Sequence, residues 1–188
     1  MSGNSLNSPD IFKRVRNTGC DVKFIFNQVM REWEWSGVSH IVSIQDSKRR
    51  EIEAHKIILA LGSEVFRAQF FGSISQADQV EIEQWSYKSF KIFIDTFYNS
   101  VNLGKYRIRV LSDLYCLSDY YSVPELQSAS MNVVMKASFS NQDVAEAAHI
   151  ATVTKDLYPA LAEALFQRVL STCGTDPERI KRFLGQHR

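Results

Sequence analysis

Apolar residues with a period of two predict β-strands in the first third of the chain. In residues 20–26 apolar and polar side chains alternate, with Ile25 as the exception, as expected of a half-buried strand. Residues 40–45 and 50–54 are two further predicted strands, and the turn-forming residues 46–48 lie between them. The first third of the chain therefore contributes a small sheet.

The segments on either side of the first predicted strand are less regular. Residues 1–9 are rich in Ser and Asn and are expected to form a flexible tail. A short helix is predicted from Asp10 onward, and one of its faces is apolar. This face carries Ile11, Phe12 and Val15. Residues 27–39, which contain two tryptophans among charged residues, are either a long hairpin connection or an extended strand pair.

From His55 onward the apolar period changes to that of helices. A short helix that ends at Gly62 in a left-handed conformation is followed by a second helix, which Ser63 caps and Gly72 ends. The apolar residues that define the first helix are Ile57, Ile58 and Leu61, and those expected along one side of the second are Val65, Phe66, Phe70 and Phe71.

The rest of the chain is predicted to be almost entirely helical. A polar loop at residues 73–79 leads into a short strand at 80–83. Ser86 caps the next helix, Pro124 ends a later one, and Asn141 supplies an N-terminal signal for another. The predicted helices contain residues 90–97, 111–121, 126–135, 143–151, 157–170 and 177–184.

Composition and charge narrow the classes of protein. At 188 residues with 45% hydrophobic content, the chain holds one globular domain, alone or with a short helical annex. Its 22 basic and 21 acidic residues give a net charge of +1, so no broad electrostatic attraction to nucleic acid or to a membrane surface is expected. The sequence shows neither a signal peptide nor an apolar run long enough to cross a bilayer. With three cysteines far apart, we expect a soluble protein of the cytoplasm and/or nucleus.

Residue types that carry catalysis or bind metals form no recognisable site in the sequence. None of the four histidines lies at a zinc-binding spacing from another ligand, and the eight glycines are scattered. Cys116 lies in an apolar helical pattern and is predicted to be a small buried hydrophobe rather than a nucleophile. We therefore predict no catalytic residue, no cofactor, no metal and no enzymatic activity.

Aromatic residues are dense between residues 66 and 98. Most of them are expected to form the core. Some can remain exposed for a partner to cover, because exposed apolar patches mark interaction sites.

Residues 54–71 closely resemble the sequence pattern of the BTB/POZ family. The pattern's Ala-His-Lys start, Leu-Ala-x-x-Ser centre and Phe-x-x-x-Phe finish all occur there in the same order. Residues 20–24 are similar to the family's opening strand, residues 87–90 to the start of its third helix, and residues 117–126 to its Ala-Asp-x-Tyr-x-Val-x-x-Leu segment. The resemblance runs from about residue 10 to residue 132.

The resemblance implies an α/β (α+β) fold in which a small sheet is flanked by helical hairpins, followed by an all-helical C-terminal annex. Its implied boundaries place a flexible tail at residues 1–9 and the BTB/POZ domain at residues 10–132. Residues 133–188 look like the opening helices of a BACK region, which commonly follows this domain in cullin-3 adaptors.

The resemblance also implies homodimerisation through the N-terminal helix and the helix that starts at His55. In the family, the positions that match Asp21 and Lys56 lie close to the dimer interface. The apolar face of the N-terminal helix needs a surface to cover it, although that surface could belong to its own subunit. The predicted dimer-interface residues are Ile11, Phe12, Val15, Asp21, His55 and Lys56.

The loop after Gly72 departs from the pattern of many cullin-binding members. These carry an apolar-x-Glu triplet, whereas this chain has Ile74, Ser75 and Gln76. Glutamine keeps a similar shape but loses the stronger, charge-assisted hydrogen bond of a carboxylate. The predicted cullin-facing residues are Phe71, Ile74, Gln76, Asp119 and Tyr120.

Two functional hypotheses follow from the resemblance. The leading one is a homodimeric adaptor that links an unknown substrate to a cullin-3 ubiquitin ligase, favoured by Ile74 and the BACK-like extension. The alternative is a dimerisation or scaffolding module of a transcriptional or other complex with no cullin link. Gln76 and the absence of a Kelch, MATH or zinc-finger segment in these residues favour the alternative. Both hypotheses expect a second copy of the chain as a partner, and neither expects nucleic acid or a membrane.

Overall fold

A computed structural model of the chain describes residues 19–26, 49–72 and 78–173. These residues form two compact units. The sheet unit contains the described residues up to 102 together with residues 120–123, and the helical unit contains residues 103–119 and 124–173.

The described residues contain three strands, seven α-helices and one 3-10 helix. The strands are β1 (Val22–Phe26), β2 (Arg50–Ala54) and β3 (Gln79–Glu81). The helices are α1 (Lys56–Gly62), α2 (Glu64–Phe71), α3 (Tyr87–Thr96), α4 (Ile108–Tyr120), α5 (Pro124–Lys136), α6 (Asn141–Thr154) and α7 (Pro159–Cys173), with the 3-10 helix at Leu103–Lys105. The predicted mixed α/β fold with a helical C-terminal part is confirmed.

β1 is the central strand of the sheet, whose order is β2-β1-β3. It pairs antiparallel with β2, so that Phe24 lies opposite Ile52, and parallel with β3, so that Phe24 also lies opposite Val80. The predicted strands at 20–26 and 50–54 are confirmed, while β3 begins one residue earlier and ends two residues earlier than expected. Ile25, which breaks the alternation, is buried as well.

Ser63 separates α1 from α2, as predicted. Its hydroxyl oxygen accepts a hydrogen bond from the backbone N–H of Phe66 at 3.1 Å, which caps α2, and donates one to the carbonyl oxygen of Tyr121 at 2.6 Å. The left-handed conformation predicted for Gly62 is wrong, because the only glycine with positive φ in the described part of the chain is Gly19. Gly62 is needed for space instead: a Cβ there would lie 2.8 Å from two ring carbons of Phe97.

The prediction of which apolar residues of α1 and α2 face the core is only partly correct. Leu59 and Ala60 face the core, whereas Ile57 and Leu61 are 56% and 82% exposed. In α2, Phe66 and Phe70 are buried while Phe71 is 58% exposed. Both helices are so short and so apolar that the sequence alone does not reveal which side faces the core.

An aromatic cluster fills the core of the sheet unit. Ser86 caps α3, as predicted, by accepting the backbone N–H of Ser89 at 3.0 Å. α3 then directs Phe90 and Phe93 into the core, where they meet rings from the sheet and from α2. The ring contacts of this cluster join Phe24, Phe66, Phe70, Phe90, Phe93, Phe97 and Tyr121.

The helical unit is built around the packed pair α6 and α7, with α5 against α7. Small residues of α6, Ala147 and Ala151, and large residues of α7, Leu161 and Leu165, are all fully buried. The cap of α6 is Ser140 rather than Asn141, because Ser140 and Asp143 form a reciprocal capping box.

Some predicted boundaries differ from the observed ones, and some predicted segments are not described by the structure. α4 ends at Tyr120, before the predicted limit at Pro124, and Ser122 then adopts a positive φ of 53°. The predictions for residues 10–15, 27–39, 40–45 and 177–184 lie outside the described residues. None of the described helices combines the length and the apolar character needed to span a membrane.

Replacing Ser63 by Ala is expected to lower the free energy of unfolding by about 2 kcal/mol, because it removes a helix cap and a buried hydrogen bond together. Urea denaturation followed by circular dichroism measures this change. Ser128→Ala, at an exposed position of α5, is the matched control and should change stability by less than about 0.5 kcal/mol. Equal stabilities of the two variants would contradict the role given to Ser63.

Candidate interaction surfaces

The start of α1 brings three of the predicted interface residues together. The backbone N–H of Asp21 donates to the carbonyl of Ala54 at 3.1 Å, which places Asp21 beside the β2–α1 junction. Its side-chain Oδ1 then accepts the backbone N–H of Lys56 at 2.7 Å. Because the side chain of His55 makes no capping bond, Asp21 supplies an acceptor for the first turn of α1 from another part of the chain.

Lys56 is held against the sheet unit rather than extended into solvent. Its Nζ lies 2.6 Å from a carboxylate oxygen of Asp78 and 6.0 Å from the ring centre of Phe70. The Lys56 side chain is only 15% exposed. Its charge is therefore neutralised locally, and its aliphatic part covers apolar surface.

His55 is tied to Tyr98 inside the same unit. The backbone N–H of His55 donates to the hydroxyl oxygen of Tyr98 at 2.8 Å, and Nδ1 of the ring lies 3.1 Å from the same oxygen. The Tyr98 hydroxyl therefore contacts both the backbone and the ring of His55. Both residues are buried, so His55 orients α1 and offers little surface to a partner.

Two apolar residues that were not among the predicted site residues dominate the outer side of α1. Ile57 and Leu61 are one helical turn apart and lie on the same side of the helix. We call this pair the α1 ridge. Its exposure could not be recognised from the sequence, because a helix of seven residues with apolar side chains all round gives no clear periodicity.

Two of the predicted cullin-facing residues are exposed aromatic side chains of the sheet unit. Phe71 ends α2, and Tyr120, which ends α4, is 51% exposed. The Tyr120 ring centre lies 4.9 Å from that of Tyr121 and 6.2 Å from that of Trp85. Tyr120 is therefore held in place although half of it faces solvent.

The other predicted cullin-facing residues are placed differently. Asp119 is exposed in the helical unit, where its carboxylate accepts a hydrogen bond from Nε2 of Gln127 at 3.0 Å. Ile74 and Gln76 lie outside the described residues, as do the dimer-interface candidates Ile11, Phe12 and Val15.

The described residues bring no reactive group into a site. Cys116 is buried, and this burial, with the nearby Asp113 and Asp119 carboxylates, raises the pKa of its thiol to about 12. The thiol is therefore protonated at neutral pH and unreactive. Within residues 19–26, 49–72 and 78–173, no three His, Cys, Asp or Glu side chains converge as metal ligands.

Exposed apolar side chains held on hydrogen-bonded helices, as on α1 and at the ends of α2 and α4, are typical of protein-interaction modules. A family model of the BTB/POZ domain matches residues 26–138, which is more than half of the chain. The chain therefore belongs to the BTB/POZ family, whose domains are modules for protein–protein interaction.

Comparison with solved structures agrees on the fold. The chain is similar to the BTB domain of zebrafish PATZ1, with a TM-score of 0.51 and 17% sequence identity over 73% of this chain and 98% of that one. At this identity the likeness concerns the fold alone. No curated protein matches the sequence.

Removing the Tyr98 hydroxyl is expected to destabilise the junction between β2 and α1. Tyr98→Phe should lower the free energy of unfolding by about 2 kcal/mol, since the buried N–H of His55 loses this acceptor. Tyr87→Phe is the control, because the Tyr87 ring packs on Phe26 and its hydroxyl has no hydrogen-bond partner among the described residues. Urea titrations that give the same midpoint for both variants would argue against a structural role for the Tyr98 hydroxyl.

Proposed function

We propose that this BTB/POZ chain is a homodimeric adaptor that links a substrate protein to a cullin-3 ubiquitin ligase. The observation that carries the proposal is the α1 ridge, because its two large aliphatic side chains are exposed while Leu59 and Ala60 of the same helix are buried. A twofold axis beside α1 would bring the ridge of one copy against the same surface of the other.

The free energy available from this contact can be compared with the free-energy cost of forming a dimer. Burial of the two ridge side chains on both copies would contribute on the order of 5 kcal/mol. Association costs a comparable amount in lost translational and rotational freedom. The ridge alone therefore cannot hold a stable dimer, and the apolar Ile11, Phe12 and Val15 are the candidates for the additional contact.

The cullin-3 part of the proposal depends on a different surface. Exposed Phe71 stands immediately before the segment that carries Ile74 and Gln76, and Tyr120 is a second exposed aromatic residue of the same unit. Aromatic residues are enriched at the centres of protein interfaces, and these two are held at the ends of helices. The packed helices α6 and α7 support the interpretation of residues 133–188 as a BACK-like extension.

A second candidate function is a dimerisation or scaffolding module of a transcriptional or other complex, without a cullin. Gln76 favours it, because an amide replaces the carboxylate that many cullin-binding members carry. Both candidates share the dimer and differ only in cullin-3 binding. An experiment on the ridge tests the dimer that both require, and an experiment on cullin-3 binding distinguishes them.

Leu61→Asp is expected to convert the dimer into a monomer, because each subunit would place a carboxylate in an apolar contact. Light scattering on a sizing column measures the mass. Leu157→Asp is the matched control, since Leu157 is also highly exposed but lies in the helical unit, and this variant should remain dimeric. A dimeric Leu61→Asp variant would show that the ridge is not the interface.

Ile74→Asp is expected to abolish binding to the N-terminal region of cullin-3, and Phe71→Asp to weaken it by at least about tenfold, by placing charges in an apolar contact. Isothermal titration calorimetry measures both affinities, again with Leu157→Asp as control. Full affinity in the Ile74 variant would exclude the loop as the contact. A wild-type chain that dimerises but does not bind cullin-3 would favour the scaffolding alternative.

A further inference from the structure

We propose that the helical unit carries a docking groove for an acidic peptide segment of a partner protein. The groove has a volume of about 480 Å³ and lies among the 3-10 helix, the start of α4, the end of α5 and the start of α6. This volume is within the range of sites that bind small ligands or a few side chains. The inference does not depend on the cullin-3 proposal, because every residue that lines the groove belongs to the helical unit.

Positive charge lines the rim of the groove. Lys105 ends the 3-10 helix, Arg107 immediately precedes α4 and Lys136 ends α5, and all three are exposed. In the described part of the chain, neither Lys105 nor Lys136 has an acidic partner, and the Lys105 ammonium instead lies 5.1 Å from the ring centre of Tyr106. These two cations are therefore available to a bound anion.

Among the described residues, a single carboxylate lines the groove, that of Asp143. It accepts hydrogen bonds from the backbone N–H and the hydroxyl of Ser140 at 3.0 and 2.5 Å, which commits it to the cap of α6. Burial alone would raise the pKa of Asp143, but the Ser140 bonds and nearby Arg107 together lower it, so this carboxylate stays ionised. Arg107 is 3.7 Å from Asp143, too far for a strong hydrogen bond. Three cations and one carboxylate therefore line the groove, and its rim carries a net positive charge.

The inner surface of the groove is apolar. Ile108 and Leu111 form a fully buried base, while Val133 and Phe139 are half-buried walls. The Phe139 wall is supported from behind, because the Arg168 guanidinium lies 5.6 Å from its ring centre and donates to the carbonyl of Ala137. The groove therefore keeps apolar contact surface for a ligand.

The positive rim and the apolar walls together indicate which kind of ligand fits the groove. Inorganic phosphate would use only the cations and leave the walls in water. A nucleic acid needs an extended basic surface, whereas the basic residues that line this groove are Lys105, Arg107 and Lys136. A peptide in which Asp or Glu residues flank a leucine or phenylalanine satisfies both parts, with the carboxylates on the rim and the apolar side chain between the walls.

The test uses the full chain and a short fluorescein-labelled peptide with Glu and Asp on both sides of a Leu-Leu pair, titrated by fluorescence anisotropy. The double variant Lys105→Glu/Lys136→Glu should bind this peptide about tenfold more weakly, since two exposed attractions become repulsions. Lys155→Glu is the matched control, because Lys155 is exposed at the far end of α6, about 20 Å from the groove along the helix axis. It should bind like the wild type.

Competition experiments separate the possible ligands. A peptide with Gln and Asn in place of the acids, and one with Ser in place of the leucines, should each compete poorly. Equal binding by the double variant and the Lys155 control would overturn the proposal. So would displacement of the peptide by inorganic phosphate or by single-stranded oligothymidine as readily as by the unlabelled peptide, or the absence of binding by the wild type. The sizing-column mass of the double variant should be unchanged, which separates this result from any failure of the dimer proposal.

Discussion

The position of the Phe66 ring is the constraint on which the sheet unit depends. This side chain is fully buried, and its ring meets those of Phe24 from the sheet, Phe93 and Phe97 from the α3 region, and Tyr121 after α4. The Tyr121 contact is the closest, with ring centres 4.4 Å apart. The side-chain hydroxyl of Ser63 donates to the backbone carbonyl of Tyr121 and so links the same two segments.

This constraint determines which side chains remain for partners. Once Phe66 faces inward, α2 must place Phe71 outward, because the two residues are separated by more than one helical turn and lie on different sides. The short connection at Ser63 orients α1 so that Leu59 and Ala60 are buried while Ile57 and Leu61 are not. The exposed apolar residues are therefore a consequence of how the core is filled.

Local signals predicted much of the fold. Alternation identified β1 and β2, and the hydroxyls of Ser63 and Ser86 identified two helix starts. These features depend on residues that are neighbours in the sequence. What the sequence did not reveal depends on distant contacts: Tyr98 meets His55 across 43 positions, and Phe97 is the reason for a glycine at position 62. The basic groove was missed for the same reason, since Lys136 is distant in the sequence from Lys105 and Arg107.

The proposed dimer requires that a second copy of the chain covers the outer side of α1. The most direct measurement is the mass of the wild-type chain in solution, by light scattering over a range of concentrations. We expect a mass twice that of one chain that persists on dilution, because BTB domains typically self-associate and because removal of the exposed aliphatic ridge from water is favourable. A monomer at all concentrations would contradict the claim and would leave the ridge as a site for a different partner.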